Sequence, residues 1–370
     1  MDNNQAKQKG ITLQDIVKVF KTYHTTHPLK IICDTIFDEN GSFKTEDLVK
    51  YSWAFNTINA VRRALMTLSE VSMDAYDDMI HIKLKAKKKK GGYNQHNLIS
   101  AFCELSLMNT FIVRSSDRSS FKYEDKCVEG SDKNVEFSIK MGVFTFHVEV
   151  KTSDLLMEDR NIVKALQTSD EVLVLDARNR YFKEIKEKAK IPVIGSLDNR
   201  LVDYLESANG KFSKSDDEHD VNLLVVCWDD RIHQPLLALK SEDAEGILTN
   251  QTHLKNEDGS NKQFENVDCI LINSGYCLFK EYIGFILFDR FSPQFPVDPF
   301  FQLFTNNYLI DHNLSEDRVN MIQSIIQQKV IIVDENYAQS LPPVSVAFMK
   351  DKASNVISFR KRNIKDFISI

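Results

Sequence analysis

One stretch of the chain, from Lys133 to Lys151, alternates apolar and polar residues on both sides of Gly142. The apolar positions that follow this pattern are Val135, Phe137, Ile139, Phe144, Phe146, Val148 and Val150. Alternation with a period of two in aromatic and β-branched residues is typical of half-buried strands. The stretch therefore predicts a β-hairpin whose two strands meet at Gly142 and Val143.

The turn determines how the two strands pair. A two-residue loop at Gly142 and Val143, with glycine first as a type II′ turn prefers, pairs Met141 with Phe144. Because paired residues share a face of the sheet, this register must place apolar residues opposite apolar ones. Counting back from the turn meets that condition on both faces.

The same register places two carboxylates opposite each other. Glu136 opposes Glu149, and Lys151 lies two residues further along on the same face. Like charges in opposed positions destabilise paired strands. The sequence therefore predicts a compensating cation, and a divalent metal ion held by oxygen ligands is the candidate. An ordinary surface hairpin with solvated Glu and Lys side chains is the alternative.

Helical spacing predicts helices before the hairpin. Residues 11–85 follow this spacing, and Asn94–Ile112 forms an amphipathic helix with Glu104 at the edge of its apolar face. Phe111–Arg114 then predicts the start of a strand, with another near Phe121–Tyr123. Glu104 has two interpretations, a contributor to the metal site or a boundary residue in an exposed ion pair.

The pattern after the hairpin is mixed. An insertion at about residues 152–196 is followed by a helix that Asp198 can cap and by Val221–Trp228, a continuous apolar run typical of a strand buried on both faces. Lys211 of that helix is interpreted as a surface lysine, with a reach into the site as the alternative. Four further segments have the pattern of strands: Val267–Asn273, Gly284–Phe288, Val330–Val333 and Val344–Phe348.

The order helix, strand, hairpin, helix, strand, together with Glu149-Val150-Lys151, resembles the PD-(D/E)XK nuclease superfamily over roughly residues 94–228. The resemblance implies a restriction endonuclease-like core, a mixed sheet flanked by helices, that binds Mg²⁺, with Mn²⁺ as the alternative. It implies that Glu136, Glu149 and the backbone carbonyl of Val150 hold the metal, and that Lys151 orients or deprotonates the attacking water. The helix before the hairpin often contributes an acid in this superfamily, and Glu104 has that place.

The chain departs from the superfamily pattern before the first acid. Where the superfamily more often has proline followed by aspartate, Asn134 and Val135 precede Glu136. Asp132 is therefore the alternative for the first acid, and the choice between Asp132 and Glu136 stays open at this point.

The fold class predicted is α/β, with three regions. These are a helical N-terminal region at residues 1–90, a nuclease-like core at 91–230 that contains the insertion, and a C-terminal α/β extension at 231–370. The basic run Lys83–Gly92 (KLKAKKKKGG) lies between the first two regions. A solvated linker is the first interpretation of this run, and a tether that contacts phosphate is the second.

Composition narrows the class of protein. Among the 370 residues, 42% are apolar and 27% are charged, and the net charge of −6 argues against a globally basic nucleic-acid binder. The N-terminus has no apolar signal core, and no uncharged run approaches the length of a membrane span. Six cysteines without a CxxC pair predict reduced core thiols in a cytoplasmic protein and no structural zinc site.

The sequence thus favours a metal-dependent endonuclease that hydrolyses phosphodiester bonds of nucleic acid, with DNA favoured over RNA. A restriction or phage-defence role is implied by the resemblance alone. A non-catalytic nucleic-acid-binding module on the same fold is the second hypothesis, and a protein-interaction module is the third. Assembly as a homodimer or with a partner subunit stays open.

Overall fold

A computed structural model describes most of the chain. The residues it describes are 11–44, 52–128, 132–153, 156–175, 182–195, 198–214, 219–228, 233–242, 246–252, 254–288, 300, 307–311, 314–326, 330–341, 345–350 and 357–361. Most of the aromatic stretch that follows Phe288 lies outside these residues, although Phe300 is described and is fully buried.

Strands form two separate sheets. Their bounds are β1 (Lys122–Tyr123), β2 (Phe137–Met141), β3 (Phe144–Thr152), β4 (Glu171–Leu175), β5 (Val193–Gly195), β6 (Asp220–Cys227), β7 (Cys269–Asn273), β8 (Asn307–Asp311), β9 (Val330–Ile332), β10 (Ser345–Lys350) and β11 (Ile357–Lys361). The larger sheet has seven strands in the order β1-β2-β3-β6-β7-β8-β9, and the smaller has four in the order β11-β10-β4-β5. The larger sheet is mixed, because β3, β6 and β7 run parallel whereas β1, β2 and β3 alternate in direction.

Helices pack against the larger sheet, and several of them precede its first strand in the chain. Their bounds are α1 (Leu13–Lys21), α2 (Pro28–Ile36), α3 (Ser52–Val71), α4 (Met73–Asp78), α5 (Gln95–Arg114), α6 (Leu156–Leu166), α7 (Phe182–Lys188), α8 (Asp198–Asn209), α9 (His233–Lys240), α10 (Gly275–Phe288), α11 (Glu316–Ile326) and α12 (Glu335–Ser340). One turn of π-helix, Met79–Lys83, follows α4 directly. Among the helices of the described residues, none is both long enough and apolar enough to cross a bilayer.

The hairpin predicted from alternation is present with the predicted register. Met141 pairs with Phe144, and the pairing continues to Phe137 and Val148. Gly142 opens the turn with φ of +63°, in the left-handed region that glycine adopts without steric cost. The local pattern and the turn chemistry were therefore sufficient to predict this element.

Two predicted strands are helical instead. Phe111–Arg114 continues α5, since the Phe111 ring packs at 5.4 Å from Phe137 and extends the helix's buried face. Gly284–Phe288 is the last part of α10, whose Phe279 packs at 5.4 Å from Phe102 of α5. A short apolar run fits a buried helix and a buried strand equally well, and in both places the packing of a longer helix decides.

The described residues of the helical N-terminal region share a core with the larger sheet. One continuous cluster of buried side chains joins α1–α5 with the face of β2, β3 and β6 that carries Phe137, Val148 and Val225. Its members include Phe20 of α1 and Leu65 of α3. The region is helical as expected, and its boundary near residue 90 stays a prediction.

The basic run between these parts is a hydrogen-bonded turn rather than an open linker. Lys83 ends the π-helical turn, and Lys87 forms an isolated antiparallel bridge with Tyr93. The Asn94 N–H donates to the carbonyl of Ala86 at 2.7 Å, directly before α5 begins. The run thus connects α4 to α5 within a single packed structure.

The insertion and the C-terminal extension both contribute strands to the smaller sheet. Strands β7, β8 and β9 complete the larger sheet, whereas β10 pairs with β4 of the insertion. The described part of residues 231–370 therefore contributes to both sheets. The insertion, with β4 and β5, builds the smaller sheet together with the end of the chain.

Candidate functional site

The regular pairing of the hairpin stops one residue before the first predicted acid. The last pair is Phe137 with Val148, and the chain bends at Glu136. Val135 packs in a core cluster with Leu224, whereas Phe137 packs in the cluster on the other side of the sheet. The alternation of faces is therefore interrupted at Glu136, whose carboxylate contacts Lys83.

Glu136 belongs to an ion-pair group that we call the Glu104 cluster, made of Lys83, Glu104 and Glu136. The Lys83 ammonium lies 2.6 Å from Glu104 Oε2 and 3.0 Å from Glu136 Oε2. It also lies 5.4 Å from the centre of the Tyr123 ring, within the range of a cation–π contact. One lysine thus bridges two carboxylates from α5 and from the start of β2.

Lys83 is held in place by the N-terminal helices. The Tyr23 hydroxyl donates to the carbonyl of Ile80, and His27 Nε2 lies 2.9 Å from the carbonyl of Leu84. Both partners belong to the π-helical turn or to the residue that follows it, and both Tyr23 and His27 are buried. The position of the lysine therefore depends on α1 and α2, far from the hairpin in sequence.

Burial and charge shift the pKa values in the Glu104 cluster. Burial, reinforced by the charge of Glu136, raises the pKa of Glu104 to about 7, although Lys83 opposes the shift. Burial works against the charged form of Lys83, but the two carboxylates outweigh it and hold the pKa of Lys83 above its ordinary value. The lysine is therefore charged at neutral pH, and Glu104 is close to half protonation.

The second acid belongs to another group, which we call the Glu149 cluster, made of Glu149, Lys151 and Lys211. The Glu149 side chain has 0% exposure, and its Oε1 lies 2.6 Å from the Lys151 ammonium and 2.7 Å from that of Lys211. Lys211 also donates to Oε2 at 2.9 Å. Lys211 therefore lies against Glu149, in agreement with the alternative in which it reaches the site, and it is not an isolated surface lysine.

The two clusters lie on different sides of β3. Glu149 pairs with Leu224 of β6, which packs in the core under α8, whereas Val150 pairs with Val225 in the core under α5. The structure therefore brings Glu104 together with Glu136, and Glu149 together with Lys151. Glu136 contacts Lys83, whereas Glu149 contacts Lys151 and Lys211. The hairpin register therefore does not bring the two acids to a shared lysine.

A hydroxyl contact links the two sides at the end of β3. Ser100 Oγ of α5 lies 3.4 Å from Glu104 Oε1 and 3.0 Å from the hydroxyl of Thr152, the residue after Lys151. The Tyr204 hydroxyl of α8 donates to the carbonyl of Thr152 at 2.9 Å. Both flanking helices thus hold the last residue of the strand that carries Glu149 and Lys151.

The backbone of Val150 faces the gap left where β2 ends. The N–H groups of Thr145 and Ser153 donate toward β6, to His219 and Cys227, so odd-numbered residues of β3 point their backbone groups that way. Even-numbered residues such as Val150 point theirs to the opposite edge. There the pairing with β2 has ended, so the Val150 carbonyl is directed to the side on which Glu136 lies.

A cavity of about 540 Å³ opens beside the Glu104 cluster. The residues that line it are His81, Ile82, Lys83, Lys85, Ala86, Lys87, His96, Asn97, Ser100, Ala101 and Glu104. Three lysines and two histidines face it with one carboxylate, so the cavity is suited to an anion near its mouth and a cation at Glu104. Lys85 and Lys87 of the basic run belong to this wall.

Asp132, the alternative first acid, is exposed, whereas the Glu136 side chain is 18% exposed and bonded to Lys83. Lys83, Ser100 and Thr152 were not predicted as site residues. Lys83 meets residues 21 and 53 positions away in sequence, and nothing in the basic run distinguishes it from the lysines after it. Comparison of the chain with protein-family models, curated proteins and solved structures found no match, so the case for a function rests on the geometry of these residues.

Proposed function

We propose that the protein is a metal-dependent nuclease that hydrolyses phosphodiester bonds of nucleic acid, with DNA as the favoured substrate. The observation that carries the proposal is the acid-x-lysine pair Glu149 and Lys151 at the end of a hairpin strand, with two further carboxylates, Glu104 and Glu136, beside the same strand end. Once the insertion with α6, β4, α7 and β5 is left out, the chain order α5, β1, β2, β3, α8, β6 is also the order that the PD-(D/E)XK resemblance implies.

The donor atoms fit a hard divalent cation. Carboxylate and backbone carbonyl oxygens are the ligands that Mg²⁺ takes, and Glu136, Glu149 and the Val150 carbonyl supply them, with Glu104 as a fourth oxygen donor. A lysine ammonium group contacts each of these carboxylates. The Glu104 cluster would take Mg²⁺ or Mn²⁺ first, because one lysine shared by two carboxylates leaves a negative charge unbalanced.

The protein's own groups can then divide the work of hydrolysis. Lys85 and Lys87 line the cavity and would hold the phosphate backbone of the substrate. Lys151, with its ammonium on Glu149, would position the attacking water and its proton. When bound, a divalent ion stabilises the charge that develops on the phosphate.

Replacement of Lys151 tests this role. Lys151→Ala should lower the rate of Mg²⁺-dependent cleavage by about 10²–10⁴-fold, the usual contribution of general acid–base catalysis. The fold should persist, because the Lys151 side chain is 21% exposed and Glu149 keeps Lys211. Lys140→Ala is the matched control, since Lys140 is an exposed lysine on the same hairpin. Cleavage of single- and double-stranded DNA and RNA is measured with Mg²⁺ and with Mn²⁺.

A second candidate function is a nucleic-acid-binding or protein-interaction module that keeps this fold without cleavage. The specific observation that favours it is charge balance, since the three carboxylates of the two clusters are matched by three lysines. Such a protein would bind nucleic acid or a partner equally well with a chelator present. Wild-type protein that binds nucleic acid but cleaves none of the four substrates with either metal would replace the nuclease by this candidate.

A further inference from the structure

Three side chains of unlike chemistry converge beside β3, outside both ion-pair clusters. They are Asp125 and Cys127, from the segment after β1, and His147 of β3. One ligand atom from each lies within 4.8 Å of the others, and all three side chains are partly buried. A carboxylate, a thiol and an imidazole are the three ligand types that Zn²⁺ takes in proteins.

The local backbone fixes the position of these groups. Glu124 has φ of +48°, a left-handed conformation that is uncommon outside glycine, and its N–H donates to the carbonyl of Glu136. The next residue, Asp125, accepts the N–H of Val135 through its own carbonyl. The segment is therefore tied to the start of β2, and Cys127 packs against the core cluster under α8.

The distances suit a tetrahedral ion. Cys127 Sγ lies 3.4 Å from His147 Nδ1, and Asp125 Oδ2 lies 4.0 Å from the same nitrogen. With Zn–S of about 2.3 Å and Zn–N of about 2.0 Å, a tetrahedral angle separates sulfur and nitrogen by about 3.5 Å. The sulfur and nitrogen are thus already at the spacing of two ligands, and the carboxylate needs only a small rotation.

The ring of His147 is oriented to offer a lone pair at Nδ1. Its Nε2 faces Asp220 Oδ1 at 3.9 Å, and a carboxylate favours the tautomer with its N–H on that side. Nδ1 then accepts from the hydroxyl of Ser138, which is 2.7 Å away. A carboxylate behind the second nitrogen is the arrangement that fixes metal-binding histidines. An ion would replace the Ser138 contact.

A reactive cysteine is the competing interpretation, and the surroundings of Cys127 disfavour it. The thiol is partly buried and lies beside the Asp125 carboxylate. A nucleophilic cysteine instead needs electropositive neighbours that stabilise its thiolate.

We propose that Asp125, Cys127 and His147 form a binding site for a borderline divalent transition metal, with Zn²⁺ as the preferred ion. Binding forms the Zn–S, Zn–N and Zn–O bonds and releases the Cys127 thiol proton to solvent. Three protein ligands leave a fourth tetrahedral position for water or for a substrate atom. Mg²⁺ does not compete, because it prefers oxygen ligands. The site is thus independent of the proposed nuclease chemistry.

The test uses the full chain after treatment with a chelator. Calorimetry should show one Zn²⁺ bound per chain, and Co²⁺ should produce a thiolate-to-metal charge-transfer band in the near ultraviolet. Cys127→Ser should abolish the band and weaken Zn²⁺ binding by about 100-fold or more, and Asp220→Asn should weaken it by about 10–100-fold. Cys277→Ser is the matched control, because Cys277 is a partly buried cysteine on α10.

Asp125→Asn keeps the thiol and the side-chain shape, so it tests the site even if Cys127→Ser unfolds. It should keep the cobalt band and weaken Zn²⁺ binding, with an unchanged circular dichroism spectrum. A wild-type protein without the band or without one bound Zn²⁺ overturns the proposal. A band that survives in Cys127→Ser, or one that Cys277→Ser removes, overturns it as well, since the thiolate would then come from elsewhere.

Discussion

The Glu104 cluster and the Glu149 cluster contain the same two residue types in opposite proportions. With every side chain ionised, Glu104 and Glu136 share the single ammonium of Lys83 for a net charge of −1, whereas Glu149 holds the ammonium groups of both Lys151 and Lys211 for a net charge of +1. The Glu104 cluster also borders an open cavity, and Glu149 is fully buried. A cation is therefore expected to bind first at the Glu104 cluster.

The clusters differ in what supports them. Glu149 and Lys151 lie on β3, and β6 pairs with β3 at both positions. Lys83 lies on a π-helical turn that is held by Tyr23 and His27, from the segment between α1 and α2. π-Helical turns occur frequently at functional sites. The comparison predicts that perturbing the N-terminal helices affects the Glu104 cluster first.

The largest expected effect is on the pH dependence of stability through His27. Burial lowers the pKa of His27 to about 4, with His24 adding to the shift and the Leu84 carbonyl opposing it. The rings of Tyr23 and Tyr93 pack on it at 4.8 and 5.2 Å. As pH falls below 6.5, the unfolded state takes up a proton that the folded state takes only near pH 4. Stability should therefore fall by roughly 3 kcal/mol across this window.

Urea denaturation of wild type and His27→Asn between pH 4 and 7.5 measures this effect. Asparagine can still cap α2 by accepting the Leu29 N–H, as His27 Nδ1 does. The variant should be less stable at pH 7, and its difference from wild type should shrink as pH falls toward 4. A difference that stays constant with pH would show that His27 takes up its proton equally in both states.

The next prediction compares the stability lost when one lysine of each cluster is replaced. Lys83→Met leaves two partly buried carboxylates against each other, and loss of a buried partner destabilises by up to about 3 kcal/mol at pH 8. Lys151→Met should cost about 1 kcal/mol, because Lys211 still neutralises Glu149. The free energy of unfolding in urea distinguishes the two. Equal losses would contradict the assignment of opposite net charges to the clusters.

The smallest effect concerns the wall of the cavity. Replacing both Lys85 and Lys87 by serine should reduce the slope of log affinity for double-stranded DNA against log salt by about 0.9 per lysine, if each contacts a phosphate. Fluorescence anisotropy at several salt concentrations measures the slope. Lys140→Ser serves as the control on a distant exposed surface. An unchanged slope in the double variant would remove the cavity from the nucleic-acid interface.

The sequence was sufficient for the hairpin because its information is local. Alternation from Phe137 to Val150 and a glycine at the turn determine the register without reference to the rest of the chain. The mixed α/β class and the helix before the hairpin follow from similarly local patterns. The apolar run Gly284–Phe288 was misassigned because it continues α10, whose Phe279 packs on α5, and a local pattern cannot show a contact between elements so far apart in sequence.

The candidate site was harder to predict because the residues that contact one another there are far apart in the sequence. Lys83 is 53 residues from Glu136, and the bend that turns Glu136 toward it interrupts an alternation that the sequence continues. The cluster of Asp125, Cys127 and His147 contains no spaced pair of cysteines, so no motif in the sequence pointed to it. Charge complementarity across long loops carries no periodic signal.

Binding of Mg²⁺ to wild type, Glu136→Gln and Asp132→Asn, measured by calorimetry, tests the central claim most directly. Glu136 is the acid that the Glu104 cluster and the proposed metal site share, and Asp132 is the exposed alternative four residues earlier. Wild type and Asp132→Asn should bind Mg²⁺ alike, and Glu136→Gln should bind it at least about tenfold more weakly. Absence of Mg²⁺ and Mn²⁺ binding in wild type, or an equal loss in Asp132→Asn, would contradict the assignment of these carboxylates to a metal.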